Sequence, residues 1–208
     1  MICQGCFRAS ARPLCKACFA DLRPAPDRLL GGRVRAIAAF DHTGVAASLM
    51  HGMKYRGLRT ILDLAIPLVA ARLEPGLTFV SVPRVWSRYL RYGIDPAEET
   101  ARSLAAATSG RVARLIKRPI HASRRAGAER RPGPGRFHAR SGLQGSYVIV
   151  DDVLTTGATV IAAMQALLPG RTAMVVTVTS ARQVSSLFMR GAGGHNEHSR
   201  SDLSGDGG

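Results

Sequence analysis

Residues 147–159, YVIVDDVLTTGAT, bring together the groups that a sugar-phosphate site needs. Four apolar residues predict a buried strand over 145–150, and the segment 158–168 predicts a helix. Backbone N–H groups and hydroxyls at a helix N-terminus bind a phosphate monoester with help from the helix dipole. Asp151 and Asp152 would repel that phosphate. We therefore expect them to accept hydrogen bonds from ribose hydroxyls or to bind a nearby Mg²⁺ ion.

Three other interpretations of this segment are less well supported than the sugar-phosphate site. An apolar strand that ends in two acids is also typical of a Walker B element, but no G-x-x-x-x-G-K-[ST] motif precedes it. The acidic pair of a receiver domain would lie near the start of the chain, whereas this pair lies near its end. In a purely structural interpretation the aspartates would cap the next helix. The coincidence of strand, acids, hydroxyls and glycine in one short segment favours the sugar-phosphate site.

All four cysteines lie near the N-terminus in the spacing C-x2-C-x8-C-x2-C, at Cys3, Cys6, Cys15 and Cys18. Two such pairs predict a tetrahedral site in which four thiolates bind Zn²⁺. Because four thiolates close the coordination shell, this zinc would be structural rather than catalytic. The alternative, a pair of disulfides, is disfavoured in a reducing cytosol. The segment is too short for a core of its own, so we expect metal binding to be coupled to its folding.

Alternating strand and helix patterns position these two groups and predict an α/β fold with a central parallel sheet. The predicted strands are 34–40, 77–82, 112–116, 145–150 and 173–180, and the predicted helices are 45–53, 58–73, 96–110 and 158–168. Asp95 precedes Pro96 and stands three residues before Glu98, which predicts a capped start for the third helix. In an open parallel sheet the ligand crevice lies beyond the carboxyl ends of the strands, where the two aspartates would then lie.

The chain of 208 residues is long enough for one α/β domain and a small appendage. We predict a zinc ribbon over 1–24, the main domain over 25–190 and a disordered tail over 191–208, since the tail is polar and low in complexity. The proline- and glycine-rich segment 19–32 predicts a linker between the first two. No secretory signal or membrane-spanning run is found, so we expect a cytoplasmic protein without membrane insertion.

The net charge of +15 is carried almost wholly by arginine, because only Lys16, Lys54 and Lys117 are lysines among the 29 basic residues. Between residues 101 and 150 Glu129 is the only acid, and the loop 117–144 is rich in arginine, glycine and proline. Such a loop suits an anionic ligand or a nucleic-acid backbone. A genome that replaces lysine by arginine, or a simply solvated surface, would give the same pattern. Few aromatic residues lie among these arginines, which argues against base stacking there.

Taken together, these motifs resemble a known family. YVIVDDVLTTGAT is similar at essentially every position to the PRPP-binding signature of type I phosphoribosyltransferases. With the four cysteines, the chain resembles the ComF family of competence-related, phosphoribosyltransferase-like proteins over residues 3–182. Further similarity lies in HGMKYRG (51–57), SVPRVWSRYLRYGID (81–95) and RRAGAERRPGPGRF (124–137). The resemblance implies a type I phosphoribosyltransferase fold, a central parallel sheet flanked by helices, with a small N-terminal zinc-ribbon module.

The resemblance also implies roles for individual residues. Asp151 and Asp152 would bind the ribose hydroxyls. The 5′-phosphate would be bound by Thr155, Thr156, Gly157, Ala158 and Thr159. Arg84 and Arg88 would neutralise the diphosphate, which leaves as its Mg²⁺ complex. The loop 118–137 would close over the ligand as a lid or contact nucleic acid, through Arg124, Arg125, Arg130 and Arg131.

Two segments depart from the family pattern. The chain has YGIDP at 92–96 where the family usually has Arg-Gly-Phe-Asn-Gln, and the lid carries RRPGPGR where an Arg-x-x-Asn element is expected. Two functions therefore stay open. One is a Mg²⁺-dependent phosphoribosyltransferase whose acceptor the sequence does not identify. The other is a module that senses a phosphoribosyl ligand and acts with single-stranded DNA and a DNA-uptake helicase in natural competence.

Overall fold

The computed structural model describes residues 1–117, 137–139, 145–167 and 172–181. Its helices are α1 (Lys16–Ala20), α2 (Gly44–Arg56), α3 (Thr60–Ala70), α4 (Trp86–Tyr92), α5 (Pro96–Ala107) and α6 (Ala158–Ala166). Its strands are β1 (Arg28–Leu30), β2 (Val34–Asp41), β3 (Thr78–Ser81), β4 (Arg111–Val112), β5 (Tyr147–Leu154) and β6 (Thr172–Ser180). The four arginines predicted in the lid and the predicted tail 191–208 lie outside the described residues.

The six strands form one sheet in the order β1-β2-β6-β5-β3-β4. β1 pairs with β2 in the antiparallel sense, and all the other neighbours pair in parallel. Helices cross over between β2 and β3, between β3 and β4, and between β5 and β6, because parallel strands need such connections. The prediction of an α/β fold with a central, mostly parallel sheet flanked by helices is confirmed.

β5 lies where the direction of the strand order reverses. From β3 the chain passes outward to β4 on one side, whereas from β5 it passes to β6 on the other. In open α/β sheets, strands that diverge in this way leave a crevice at their carboxyl ends, and ligands bind in it. In this chain the connections diverge between β3 and β5, so we expect the crevice at their carboxyl ends, beyond the paired residues Ser81 and Val150.

The first half of β5 is buried on both faces, because helices cover both sides of the sheet. Val148 and Val150 belong to one cluster with residues of α2, α3 and α5, whereas Ile149 belongs to a second cluster with residues of α6. Side chains alternate between the two faces of a strand, so an uninterrupted apolar run fills both layers. The predicted buried strand is confirmed, since none of the residues from Tyr147 to Val150 is more than 3% exposed.

The segment 19–32 contains a strand and is not merely a linker. β1 forms a hairpin with β2, and the N–H of Arg33 donates a hydrogen bond to the carbonyl of Leu30 (3.2 Å). Gly31 and Gly32 have φ values of 57° and 70°, as the two central residues of a type I′ turn require. The Gly-Gly pair that suggested a linker is therefore the turn of an edge hairpin.

Two further elements differ from the sequence prediction, and one is confirmed. The predicted strand 112–116 is shorter, since β4 covers only Arg111–Val112. The sequence prediction omits α4, because none of its residues is buried and the helix therefore shows no apolar stripe. The capped start of α5 is confirmed, because Asp95 accepts a hydrogen bond from the N–H of Glu98 (3.5 Å). Among the described helices, none has both the length and the hydropathy that a membrane crossing requires.

Candidate functional site

The acidic pair lies inside β5, at a step in the sheet. β3 pairs with β5 only as far as Val150, whereas β6 continues beside β5 through Asp151 to Leu154. The prediction that the strand ends at residue 150 is therefore wrong, because β6 supplies backbone partners for the four residues that follow. On the β3 side the sheet has already ended. Asp151 and Asp152 therefore lie at the edge of the crevice, on a backbone that pairs with β6 but no longer with β3.

The two aspartates have different surroundings. Consecutive residues of a strand face opposite sides, which places Asp152 on the side of α2 and Asp151 on the side of α6. One carboxylate oxygen of Asp151 accepts the N–H of Asp152 (2.8 Å). Burial, followed by the nearby charge of Asp152, raises the pKa of Asp151 to about 8. At neutral pH the pair therefore favours one negative charge over two.

Lys54, in the last turn of α2, contacts the acidic pair directly. Its Nζ lies 3.1 Å from Oδ1 of Asp152, with both side chains mostly buried. The segment 51–57 belongs to the family resemblance, but the sequence alone assigns no role to this lysine. The available signal was its rarity, since it is one of three lysines among 29 basic residues.

His42, the residue after β2, is a second neighbour of the pair that sequence reasoning missed. Its backbone N–H donates to the carbonyl of Ser180 (2.8 Å), and its Nδ1 lies 2.9 Å from Oγ1 of Thr179. Burial and then the charge of Lys54 lower the pKa of His42, while Asp152 opposes that shift. No local motif marks this histidine, because its neighbours come from the far end of the chain.

Arg84 lies beside the site but holds the backbone around it. Its Nη1 donates to the carbonyls of Lys54 (2.9 Å) and Ile94 (3.2 Å), and its N–H donates to Oδ2 of Asp95 (2.9 Å). The guanidinium also lies over the rings of Tyr55 and Tyr92, 5.6 and 5.0 Å from their centroids. Arg84 thereby joins the end of α2 to the segment between α4 and α5.

Arg88, the other arginine that was assigned to the leaving group, is exposed on α4. No residue of that helix is buried. The structure therefore gives different surroundings to the two arginines that the resemblance treats alike, and their role toward a diphosphate stays a prediction.

The segment after β5 forms the turn into α6. Gly157 occupies the N-cap position with a φ of 76°, and no side chain caps the helix. The alternative that the aspartates cap this helix is therefore wrong. A Cβ on Gly157 would lie 3.2 Å from Cδ2 of Leu30, so both the backbone conformation and the space favour glycine. Thr155 and Thr156 are exposed, and Oγ1 of Thr156 accepts the N–H of Ala158 (3.4 Å). The N–H groups that follow in the first turn of α6 have no partner within the helix.

The four cysteines form a compact cluster of free thiols. Their sulfur atoms all lie within 4.8 Å of one another, and the Sγ atoms of Cys6 and Cys15 are 3.9 Å apart. Tetrahedral zinc with bonds of about 2.3 Å would place its sulfurs about 3.8 Å apart, so the cluster fits this metal after a small contraction. The predicted ligand set is therefore brought together in a geometry that could bind a metal such as zinc.

The thiols also differ in how readily they lose a proton. Backbone N–H groups, first that of Cys15 (3.3 Å from the sulfur), lower the pKa of Cys3 to about 6. Burial and the neighbouring sulfurs raise the pKa of Cys18 to about 12. Four thiolates in one cluster therefore require a cation between them, as a bound metal ion supplies.

The cysteine cluster packs directly on α2. Cys3 and Cys18 are buried in the same cluster as core residues of α2 and α3. A Cβ on Gly5 would lie 3.0 Å from both Cys18 Sγ and Val45 Cγ1, and Oγ of Ser48 donates to the carbonyl of Gly5 (3.4 Å). The backbone at Gly5 therefore packs closely against α2, and the cysteine cluster shares the core of the sheet domain.

A set of aromatic and arginine side chains, called the aromatic face, comes from α2, from α4 and from the loop before α4. It consists of His51, Tyr55, Trp86, Tyr89 and Tyr92 with Arg84 and Arg91. The Tyr55 ring lies 4.5 Å from His51 and 4.9 Å from Tyr92, between centroids, and Trp86 lies 5.8 Å from Tyr89. Trp86 and Tyr55 are 42% and 38% exposed.

Comparison of the chain with protein-family models and with curated proteins finds no match in either. The likeness to the ComF family therefore stays a resemblance of motifs.

Proposed function

We propose that this chain is a phosphoribosyltransferase-like protein that binds PRPP, or a related phosphoribosyl ligand, in the crevice between the ends of β3 and β5. The observation that carries the proposal is the adjacency of two complementary halves. Asp151 and Asp152 project at the step in the sheet, two exposed threonines begin three residues after Asp152, and Gly157 starts α6 directly after them. Carboxylates suit the ribose hydroxyls, and the helix start suits the 5′-phosphate.

The strand order supports this assignment. The crevice lies where connections to β4 and β6 diverge, which is where open α/β sheets bind nucleotides and related ligands. Together with the cysteine cluster, this arrangement agrees with a type I phosphoribosyltransferase fold that carries an N-terminal zinc ribbon. Mg²⁺ would accompany the ligand by neutralising its diphosphate, and four thiolates would hold a structural Zn²⁺.

The residues suit catalysis by positioning rather than by covalent attack. Displacement at the anomeric carbon needs a fixed ribose, a neutralised leaving group and exclusion of water. Asp151 and Asp152 would fix the ribose, while arginines near the crevice would stabilise the departing charge. In this proposal Arg84 acts mainly by holding the end of α2, because Nη1 bonds two backbone carbonyls. Arg88 is exposed and has more freedom to move toward a ligand.

Calorimetry with PRPP and Mg²⁺ tests the binding site. The double change Asp151→Ala and Asp152→Ala removes charge-assisted hydrogen bonds to the ribose, so we expect affinity to fall by about tenfold to a hundredfold. Asp63→Ala is the matched control, because Asp63 is an exposed aspartate on α3 away from the crevice. Equal affinity in the double variant and the control would contradict the proposal.

Release of diphosphate separates the enzyme from the sensor. A transferase releases diphosphate from PRPP in the presence of its acceptor base, and the double aspartate variant should not. If the wild-type chain binds PRPP but releases no diphosphate with any base tested, the chain is a binding module rather than an enzyme.

The second candidate function is binding of single-stranded DNA, in partnership with a DNA-uptake helicase. The aromatic face favours it, because exposed rings interleaved with arginines form a platform on which bases stack. The sequence alone disfavours stacking at the predicted lid, since few aromatic residues lie among its arginines. The fold instead brings three of the four tyrosines and the only tryptophan of the sequence into two ring contacts on α2 and α4.

Fluorescence anisotropy with a labelled oligothymidine tests this second function. Trp86→Ala should weaken binding about tenfold, because stacking of one base contributes roughly 1–3 kcal/mol. Phe19→Ala is the control, since Phe19 is an exposed aromatic residue on α1, outside the aromatic face. Replacing the four lid arginines by alanine should flatten the salt dependence. Wild-type binding in the Trp86 variant would argue against stacking at this face.

A further inference from the structure

We propose that the ammonium group of Lys54 is the resident cation of the acidic pair and excludes divalent metal ions from Asp151 and Asp152. The ribose hydroxyls would then bind to a preformed carboxylate–ammonium pair, and Mg²⁺ would bind only to the diphosphate of a ligand that has one. The part concerning the ribose rests on the proposed function. The part concerning the metal depends only on the side chains described above.

The ammonium group of Lys54 is in direct contact with the carboxylate of Asp152. Nζ of Lys54 lies 3.1 Å from Oδ1 of Asp152, and the two side chains are 25% and 19% exposed. Mg²⁺ binds carboxylate oxygens at about 2.0–2.1 Å in a near-octahedral shell that includes several waters. A metal ion on this oxygen would stand next to a like charge in a partly buried place. Lys54 therefore occupies the position where a metal ion would otherwise neutralise Asp152.

The backbone of Lys54 is held in place by contacts of the last turn of α2, which limits its movement away from Asp152. Nη1 of Arg84 holds its carbonyl at 2.9 Å. Gly57 ends the helix directly afterwards with a φ of 67°, and its N–H donates to the carbonyl of Met53 (3.3 Å). On the other side of α2, the guanidinium of Arg56 lies over the Phe7 ring, 5.4 Å from its centroid. The last turn of α2 is thus fixed from both sides, which keeps the ammonium within reach of Asp152.

His42 and Asp95 are the other titratable side chains near the acidic pair. His42 stands close enough for Lys54 and Asp152 both to influence it. Asp95 is the next acid, but it caps α5 and accepts the N–H of Arg84 (2.9 Å). Among the described residues around the pair, Lys54 is therefore the side chain in direct ionic contact with it. A structural role for Lys54 alone would not predict any change in metal selectivity, which makes the proposal testable.

Electron paramagnetic resonance measures Mn²⁺ binding to zinc-loaded protein without sugar. This experiment tests whether Lys54 excludes divalent ions from the acidic pair. We expect no Mn²⁺ site at the pair in the wild-type chain. Lys54→Met keeps the apolar stem but removes the charge, so it should gain one Mn²⁺ per chain. That site should disappear when Asp152→Asn is added. Lys54→Arg keeps the positive charge and should exclude Mn²⁺ as the wild-type chain does.

Three results would overturn the proposal. The first is a Mn²⁺ site in the wild-type chain that Asp152→Asn abolishes. The second is a folded Lys54→Met variant, checked by circular dichroism, that gains no site. The third is a Lys54→Arg variant that gains the same site as the methionine variant.

Calorimetry with ribose 5-phosphate tests whether the sugar binds to the carboxylate–ammonium pair without a divalent ion. It is done in buffer freed of divalent ions without added chelator, so that zinc is not stripped, and again with Mg²⁺. Wild-type affinity should agree within about twofold between the two conditions, whereas Lys54→Met should need Mg²⁺ to recover a loss of about tenfold. A wild-type affinity that rises about tenfold with Mg²⁺ would overturn the proposal. If no variant binds ribose 5-phosphate at all, the proposed function fails, while the Mn²⁺ result still decides the role of Lys54.

Discussion

Arg84 holds the last turn of α2 in place, since its Nη1 donates a 2.9 Å hydrogen bond to the carbonyl of Lys54. This contact links the loop after β3 to the residue whose ammonium binds Asp152. The two sides of the crevice are therefore coupled through one side chain. A change at Arg84 should affect stability first and ligand binding through the position of Lys54.

Replacing Arg84 by alanine should destabilise the fold by about 2 kcal/mol, because two hydrogen bonds from a charged donor and its contacts with Tyr55 and Tyr92 are lost. Urea denaturation with zinc present measures the loss. Arg88→Ala serves as control and should stay within about 0.5 kcal/mol of the wild-type chain, since Arg88 is exposed. Equal stabilities for the two variants would show that Arg84 does not brace the crevice.

Replacing Asp95 by alanine should cost about 1–2 kcal/mol of stability. Its carboxylate is buried, caps α5 through the N–H of Glu98 and also accepts the N–H of Arg84. Asp95→Asn keeps one of the two acceptor oxygens in use and should recover about half of the loss, as thermal melts of the three proteins would reveal. An asparagine variant as unstable as the alanine variant would contradict a stabilising role for the cap.

The stability of the chain should depend on pH through Asp151. Its pKa is about 8 in the folded state and near 3.8 when unperturbed. Between these values the folded state keeps a proton that the unfolded state has lost, so stability falls as pH rises from about 4 to 8. Asp151→Asn cannot ionise, and its advantage over the wild-type chain should therefore grow by up to about 1.4 kcal/mol per pH unit.

This advantage should level off above pH 8. Urea midpoints of both proteins between pH 6 and 9, in zinc-containing buffer, measure the difference. An Asp151→Asn variant whose advantage is the same at every pH would exclude a raised pKa for Asp151.

Zinc removal should destabilise the whole chain rather than the first residues alone. Cys3 and Cys18 share a buried cluster with α2 and α3, so loss of the metal would disturb that core. We expect one zinc per chain by metal analysis, and a chelator should lower Tm by roughly 10 °C, as a loss of about 3 kcal/mol implies at this size. Much less than one zinc per chain, or an unchanged Tm, would contradict the metal site.

Several features of this protein follow from residues that are neighbours in the chain. The buried run YVIV, the helix start at Ala158, the cap at Asp95 and the paired cysteines are all visible as local patterns. Each depends on side-chain alternation, on backbone preference or on hydrogen bonds between residues a few positions apart. Such preferences act over short distances, so the sequence alone predicts most of the main elements, the acidic pair and the four cysteines.

The tertiary structure decided which distant residues meet. Lys54 reaches Asp152, His42 reaches Thr179, and Arg84 holds the end of α2, although none of these pairs lies close in sequence. These contacts depend on the order and register of the strands, because β2 lies beside β6 and β5 continues beyond the end of β3. No local pattern specifies that order, because it arises from packing both faces of one sheet at once. The local sequence therefore predicts the turn after β5 and the two acids, whereas the contact between Lys54 and Asp152 arises only in the folded chain.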